Sequence, residues 1–399
     1  MNISALRAGL MTVSAYKNLL DTPVMGEAAW LLSALAEGEG EAALNAYTGL
    51  FYALKDGGFA GLGDFLADAL RWDNGPYPRL AQSGGEDSVL AAAAEHDIAV
   101  FAQLADVPGD EWIAALADVL GPDYRPALDT LPRWSSDVPF SFASLTELYR
   151  TGGAGNFARW RAFVWEDGAL IPVPDPDCPA ADELLGYDWQ RQEVVQNTRA
   201  LLSGRYVNNV LLYGESGTGK SATVKNLLTL PGTEELRIIE ADKENLGGLP
   251  ALIRSLRGLR QKFIIFIDDL AFDRDDATYS VLKTILEGGL ERRPDNVAVY
   301  ATSNRRHLVR QTISERAGDE MDRNETIREK TSLADRFGVR ILFQGLTKQE
   351  YMALVDMLAD RRHIAMDREE LHRQAVAWER LHAAQTPRTA LQFILSLDQ

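Results

Sequence analysis

The sequence predicts an α/β fold: a mostly parallel sheet covered on both faces by helices, preceded by a mainly α-helical domain and closed by a helical lid. Three observations predict it. A glycine loop joins an apolar strand to a helix at residues 207–228, four further short apolar runs alternate with helical stretches, and three helix-start signals follow residue 346. At 399 residues the chain has length for two or three domains, and an apolar content of 46% is enough to give each a core.

Residues 1–150 read as helices separated by glycine turns. Apolar residues recur at three- and four-residue spacing in Ala28-Trp30-Leu31-Leu32-Leu35, from Leu44 to Leu54 and from Val89 to Leu104, with breaks at Gly38-Glu39-Gly40, Gly57-Gly58, Gly84-Gly85 and Gly121-Pro122. Trp30, Tyr47, Phe51, Tyr52, Phe65 and Trp72 fall at spacings that suit a helical core better than a ligand box. Residues 1–185 hold 10 Lys and Arg against 27 Asp and Glu; subtracting these from totals of 41 and 58 leaves 31 against 31 for the rest. The formal charge of −17 thus belongs to the N-terminal part, which argues against a nucleic-acid grip there and suits a solvated, solubilising surface, with a basic protein partner as the lesser alternative. Residues 151–186, with Thr151-Gly152-Gly153-Ala154-Gly155 and a proline-stiffened 168–177, read as a connector.

From 187 the α/β domain begins. A helix over Asp188–Leu202 leads to the strand Val207–Tyr213, which stops at Gly214-Glu215-Ser216-Gly217-Thr218-Gly219-Lys220-Ser221-Ala222. Strand, G-x-x-x-x-G-K-S and helix in that order form a phosphate-binding loop: the glycines let backbone N–H groups face phosphate oxygens, and the helix adds its positive end. Lys220 then meets the β- and γ-phosphates of ATP, and the Ser221 hydroxyl can ligate Mg²⁺. Tyr187, just before the first helix, stands where a base or ribose contact is expected from chain order alone. The strands Leu236–Glu240, Phe263–Ile267, Val297–Thr302 and Val339–Phe343 alternate with helices at Leu249–Leu259 and Thr278–Leu290, so ligands are expected at the strands' C-terminal ends. Asp268 and Asp269 end Phe263-Ile264-Ile265-Phe266-Ile267, where a charge needs a partner; Mg²⁺ suits Asp268, and Asp269 can orient the attacking water. Asn304, ending the next strand, can hydrogen-bond that water or the γ-phosphate. Arg305, Arg306, His307 and Arg310 make a small basic cluster in a charge-rich stretch, 305–330; nucleic acid or nucleotide phosphate is an expected binder there only as the lesser alternative to a solvated helix. Thr347-Lys348-Gln349-Glu350 is a capping box, Asp367 to Glu370 has the analogous start, and Thr386-Pro387 opens a third lid helix, over 346–399.

Together with Ala301-Thr302-Ser303-Asn304, Ser332 to Gly338 and Thr386-Pro387-Arg388-Thr389-Ala390, these motifs resemble the AAA+ superfamily of oligomeric P-loop ATPases. More narrowly, Asn208 to Gly214, Leu286-Glu287-Gly288-Gly289-Leu290 and Tyr300 to Leu308 resemble a bacterial family of predicted AAA+ ATPases catalogued as a domain of unknown function, over about residues 150–399. The resemblance implies an AAA+ module over 187–345, a homo-oligomer, Arg336 as an arginine finger acting in trans on a neighbour's ATP, and Arg388 as the sensor-two arginine of the lid. Arg336 pairing with Asp335 or Glu329, and Arg388 as a solvated first-turn residue, stay open alternatives. Many AAA+ chains place Glu where Asp269 stands, so slow, switch-like turnover is an alternative to active remodelling or loading of a protein or nucleoprotein client; Glu287 is a distant reserve base. No run of about eighteen apolar residues and no secretory pattern is present, and Cys178 stands alone, so the expected setting is cytoplasmic, without a membrane.

Overall fold

The computed structural model describes residues 1–135, 137–270, 281–283, 285–286, 292–304 and 336–397. The chain forms two compact units, Met1–Arg159 and Trp160–Gln399.

The first unit is helical: α1 (Ile3–Thr12), α2 (Pro23–Glu37), α3 (Gly40–Asp56), α4 (Leu62–Arg71), α5 (Pro76–Gln82), α6 (Ser88–Ala105), α7 (Gly109–Leu120), α8 (Arg125–Leu128), α9 (Phe142–Gly152) and α10 (Asn156–Arg159). The three periodic stretches are α2, α3 and α6, and Gly38 ends α2 at φ 77°, a left-handed cap that glycine adopts without penalty. Tyr16, Tyr47, Trp112 and Tyr149 are fully buried. Buried Asp97 accepts from the backbone N–H groups of Ser14, Ala15 and Tyr16 at 2.9, 2.7 and 3.0 Å, so its charge is met by the loop it closes. The aromatic reading needs a correction: Tyr47 and Phe65 are core, but Trp30 and Tyr52 are exposed, on faces of α2 and α3 that no neighbouring helix of this unit covers.

The second unit holds β1 (Ala162–Glu166), β2 (Ala169–Val173), α11 (Asp188–Leu202), β3 (Val210–Gly214), α12 (Lys220–Asn226), β4 (Leu236–Ala241), α13 (Leu249–Ser255), β5 (Lys262–Ile267), β6 (Val297–Ser303) and β7 (Val339–Phe343). Its lid is α14 (Lys348–Arg361), α15 (Arg368–His382) and α16 (Pro387–Leu397). The seven strands are ordered β2-β1-β4-β5-β6-β3-β7, parallel except where β2 turns back on β1. Residues 162–173 therefore belong to the sheet, whereas sequence placed them in a connector. Ala162 to Trp165 pair with Ile238 to Ala241, and Phe163 is buried, so the hairpin covers what would otherwise be the free edge of β4. The alternating small and proline residues of 168–174 hid this strand from propensity.

The central strands are buried on both faces, every residue of β6 among them, as a doubly covered parallel sheet requires. Thr347 and Glu350 form the expected capping box, and Asp367 accepts from the N–H groups of Glu369 and Glu370. The lid has its own core of Tyr351, Val355, Leu371, Phe393 and Ile394. The helix expected at Thr278–Leu290, with Glu287, lies mostly outside the described residues, as do the 305–330 segment, its basic cluster and residues 332–335.

Candidate functional site

The site is built where β3, β5 and β6 end side by side. Leu211 pairs with Ala301 and Ile267 with Ala301 across the same middle strand, which sets Gly214 level with Asn304 and Asp268 level with Thr302. β3 ends at Gly214, at φ 139°, and a Cβ there would stand 2.0 Å from the Phe343 carbonyl oxygen. That close approach lets the Glu215 N–H donate to Phe343 O at 3.0 Å and turns the chain sharply into the loop. Gly217 and Gly219 follow at φ 79° and 88°, and Thr218 Oγ1 donates to Glu215 O at 2.8 Å, closing the loop on itself. α12 starts at Lys220, so its unpaired N–H groups and positive end face the loop's hollow.

The expected residues converge. Lys220 Nζ donates to Glu215 O at 2.6 Å, to Asn304 Oδ1 at 2.9 Å and to Gly214 O at 3.3 Å. Burial pulls its ammonium below the ordinary lysine pKa, against the opposing field of Asp269 and Asp268. Ser221 Oγ donates to Asp268 Oδ1 at 2.6 Å; the same oxygen accepts from Thr302 Oγ1 and from the Asp269 N–H, at 3.1 Å. Asp269 is left-handed, φ 49°, and its N–H also reaches Thr302 Oγ1 at 2.9 Å. Asn304 Nδ2 donates to Asp269 Oδ1 at 2.7 Å, so one amide joins the lysine to the second aspartate. Thr302 escaped the sequence reading. The signal was there: in a strand, residues 302 and 304 point to the same side.

These groups line a cavity of 290 Å³ with Ser216, Gly217, Gly219, Ala222 and Arg388. A second cavity of 590 Å³ shares Gly217, Gly219, Ala222 and Arg388 with it and is walled by Leu184, Leu185, Phe343, Leu358 and Leu391. Tyr187 lies on this wall, its ring 5.1 Å from that of Phe343 and its hydroxyl donating to Gln344 O at 2.6 Å; burial lifts the phenol to about 12. Three ties that sequence did not reveal hold the wall in place. Arg191 Nη1 donates to Leu184 O at 2.6 Å, Arg361 Nη1 to Asp182 O at 2.6 Å, and Asn226 Nδ2 to Pro179 O at 2.8 Å. The lid touches the loop directly, the Arg388 N–H donating to Gly217 O at 3.3 Å.

Arg336 is in the turn before β7 and lines neither cavity. Cys178 is half-buried, and burial together with Asp177 raises its thiol pKa, opposite to what a nucleophile needs. Among the described residues no group of three or more His, Cys, Asp or Glu could hold a metal. Ser221 and Asp268 fit Mg²⁺ in another way: a hydroxyl and one carboxylate, 2.6 Å apart beside the phosphate hollow, match an ion that keeps waters and takes its other ligands from substrate phosphates. Among the described residues no helix is long and apolar enough to cross a membrane.

A family model described as "Protein of unknown function (DUF815)" matches residues 158–399. No curated protein matches the chain. Among solved structures, a variant of Thermotoga maritima RuvB aligns at TM-score 0.37 and 17% identity over 54% of this chain and 63% of that one. The T. maritima RuvB Holliday junction branch migration motor aligns at TM-score 0.32 and 15% identity, over 55% and 70%. The chain thus spans less than two thirds of the first of these. The parallel sheet, its glycine loop and the helical lid make the second unit an α/β P-loop module, preceded by a helical unit.

Proposed function

We propose that this chain, which belongs to the DUF815 family, binds ATP with Mg²⁺ and hydrolyses it at the ends of β3, β5 and β6. One observation carries the reading: Lys220, Ser221, Asp268, Asp269, Thr302 and Asn304 form one hydrogen-bonded network around a hollow that also faces the N-terminus of α12. The loop N–H groups and Lys220 hold the β- and γ-phosphates, and the adjoining apolar cavity takes the base between the Tyr187–Phe343 wall and the lid. Ser221 and Asp268 are the ligands for Mg²⁺, which when bound neutralises charge developing on the phosphate oxygens. Asp269 orients the attacking water and takes its proton, while Asn304 positions both. The water oxygen bonds to the γ-phosphorus as the bond to the β-phosphate oxygen breaks, giving ADP, inorganic phosphate and a proton. Arg388 enters from the lid, and Arg336, which lines neither cavity, acts on the site of a neighbouring copy in a homo-oligomer. The acidic first unit recruits the protein or nucleoprotein client that ATP turnover remodels or loads.

A second reading, an ATP-gated scaffold with slow turnover, is favoured by the bond from Asn304 to Asp269. It engages the base on a side chain one methylene shorter than glutamate. Calorimetric titration with ATP tests the site: Lys220→Ala should lose binding, and retained affinity rejects the assignment. Mixing Arg336→Ala with Asp269→Asn protein should restore part of the hydrolysis, since each copy supplies what the other lacks; no rescue at any ratio rejects the shared site. A client-stimulated rate selects the remodeller, whereas assembly driven equally by a non-hydrolysable analogue selects the scaffold.

A further inference from the structure

The opposite end of the same sheet carries a second charged surface, rich in arginine. The segments that lead into β3, β5 and β6 meet there. Arg257 Nη2 donates to Arg292 O at 2.8 Å, joining the second segment to the third. The Arg292 and Arg293 guanidinium carbons each lie 5.1 Å from the Tyr206 ring centroid, joining the third to the first. Within 205–206, 254–262 and 292–295 there are seven Lys and Arg and one carboxylate, Asp295; Glu234 and Glu235, just before the neighbouring β4, are further acids of this edge among the described residues.

The cations there have two different roles. Arg293 is half-buried and donates to Val207 O and Asn209 Oδ1, which makes it a clamp on the chain entering β3. Arg205, Arg257 and Arg292 are exposed, and Tyr206, beside them, is 61% exposed. Tyr206 keeps most of its surface in water although two guanidiniums lie near its ring, and arginines grouped together repel each other unless an anion joins them. The Arg292–Asp295 pair, at 3.2 Å with both side chains in water, is weak enough for a phosphate to replace.

We propose that this end of the sheet binds single-stranded nucleic acid, with Arg205, Arg257 and Arg292 on successive phosphates and Tyr206, with the Arg292 guanidinium plane over it, as the platform on which an unstacked base lies. The aromatic ring selects a single strand, because in a duplex the bases are stacked on one another and out of reach. The surface lies across the sheet from the phosphate loop.

The test uses the full chain with saturating ADP and Mg²⁺, so that the loop cannot take the probe's phosphates, and follows a fluorescein-labelled 20-nucleotide oligo-dT by anisotropy between 50 and 200 mM salt. Binding should weaken with salt with a log–log slope of about −2, three phosphate contacts at about 0.7 each. Arg257→Glu with Arg292→Glu should weaken binding tenfold or more and flatten the slope by about 1.4, two contacts at that value. Tyr206→Ala should weaken it about fivefold or more while leaving the slope unchanged. Arg257→Gln with Arg292→Gln, and ADP affinity of every variant, separate lost contacts from lost folding. Arg7→Glu with Arg133→Glu, the same change of charge on the first unit, should leave binding intact. No binding at 50 mM salt, equal weakening by that control, or a duplex bound as tightly and as indifferently to Tyr206→Ala as the single strand would each overturn the proposal.

Discussion

The two ends of the sheet solve opposite electrostatic problems. At the C-terminal end helices begin, so N–H groups are in surplus, and the carboxylates gathered there beside Lys220 are held by donors: Asp268 Oδ1 accepts from Ser221, Thr302 and the Asp269 backbone. At the N-terminal end helices finish, carbonyls are in surplus, and the charges are guanidiniums. Arg237 Nη1 donates to Glu234 O at 2.7 Å and Leu236 O at 2.9 Å, and Arg161 Nη2 donates to Thr233 O and Thr233 Oγ1. Burial pulls Arg237 down to about 10, the cost of placing that cation on the carbonyls. The comparison teaches that charge alone does not identify a site. At one end the held groups surround a hollow and can turn to a ligand; at the other the buried ones are consumed by the backbone, and the exposed set around Tyr206 is left for a partner.

If that distinction is right, substitutions at the two ends should separate activity from stability. The largest effect is expected from Lys220→Ala, which should lower ATP hydrolysis at least about 10²–10³-fold with the melting temperature little changed, because a half-buried ammonium is also removed. A steady-state phosphate-release assay beside a thermal melt checks both. Arg293→Ala should do the reverse, destabilising the second unit by about 3 kcal/mol, roughly 6–10 °C in melting temperature, and leaving the ATP affinity of the folded fraction unchanged; Val207 O loses the guanidinium that donates to it, and Asn209 Oδ1 keeps only the Val299 N–H. Equal losses of activity in the two variants would break the comparison. Thr302→Val should cost about tenfold in rate and about 1 kcal/mol in stability, since its hydroxyl both donates to Asp268 and accepts from the Asp269 N–H. The smallest effect lies in the lid. Hydrogen bonds from Arg373 and Gln374 hold the Glu370 carboxyl at about 2, below its ordinary 4.5. A depressed folded-state value stabilises above the unfolded one, so this contribution should fade as pH falls from about 4.5 through about 2, and Glu370→Gln should flatten that limb of an acid titration followed by circular dichroism.

How much was legible follows from how local each feature is. The phosphate loop, the capping box at Thr347, the N-cap at Asp367 and the buried strands of the sheet are set by residues within a few positions of each other, and they stand where sequence reading put them. Thr302 is half legible: the two-residue period of a strand puts it beside Asn304, yet nothing in the sequence says that Asp268 comes within reach. The hairpin 162–173 was missed because its place in the sheet depends on β4, about seventy residues downstream. Trp30 and Tyr52 were misassigned for the same reason, as helical spacing says which residues share a face but not whether another helix covers it.

The sequence by itself determined the order of the elements, the conformation of the glycine loop and the chemistry of the groups at the ends of β3, β5 and β6, because backbone sterics and side-chain donors act over short stretches of chain. Only the tertiary structure decided that Asn304 joins Lys220 to Asp269, that Tyr187 and the lid wall one cavity, and that Tyr206 stands among arginines from three segments. Those juxtapositions depend on the sheet order β2-β1-β4-β5-β6-β3-β7, in which β3 lies between β6 and β7 rather than beside β4. Strand order is fixed by which helices and strands bury each other's apolar faces, a property of the whole unit that no window of sequence contains.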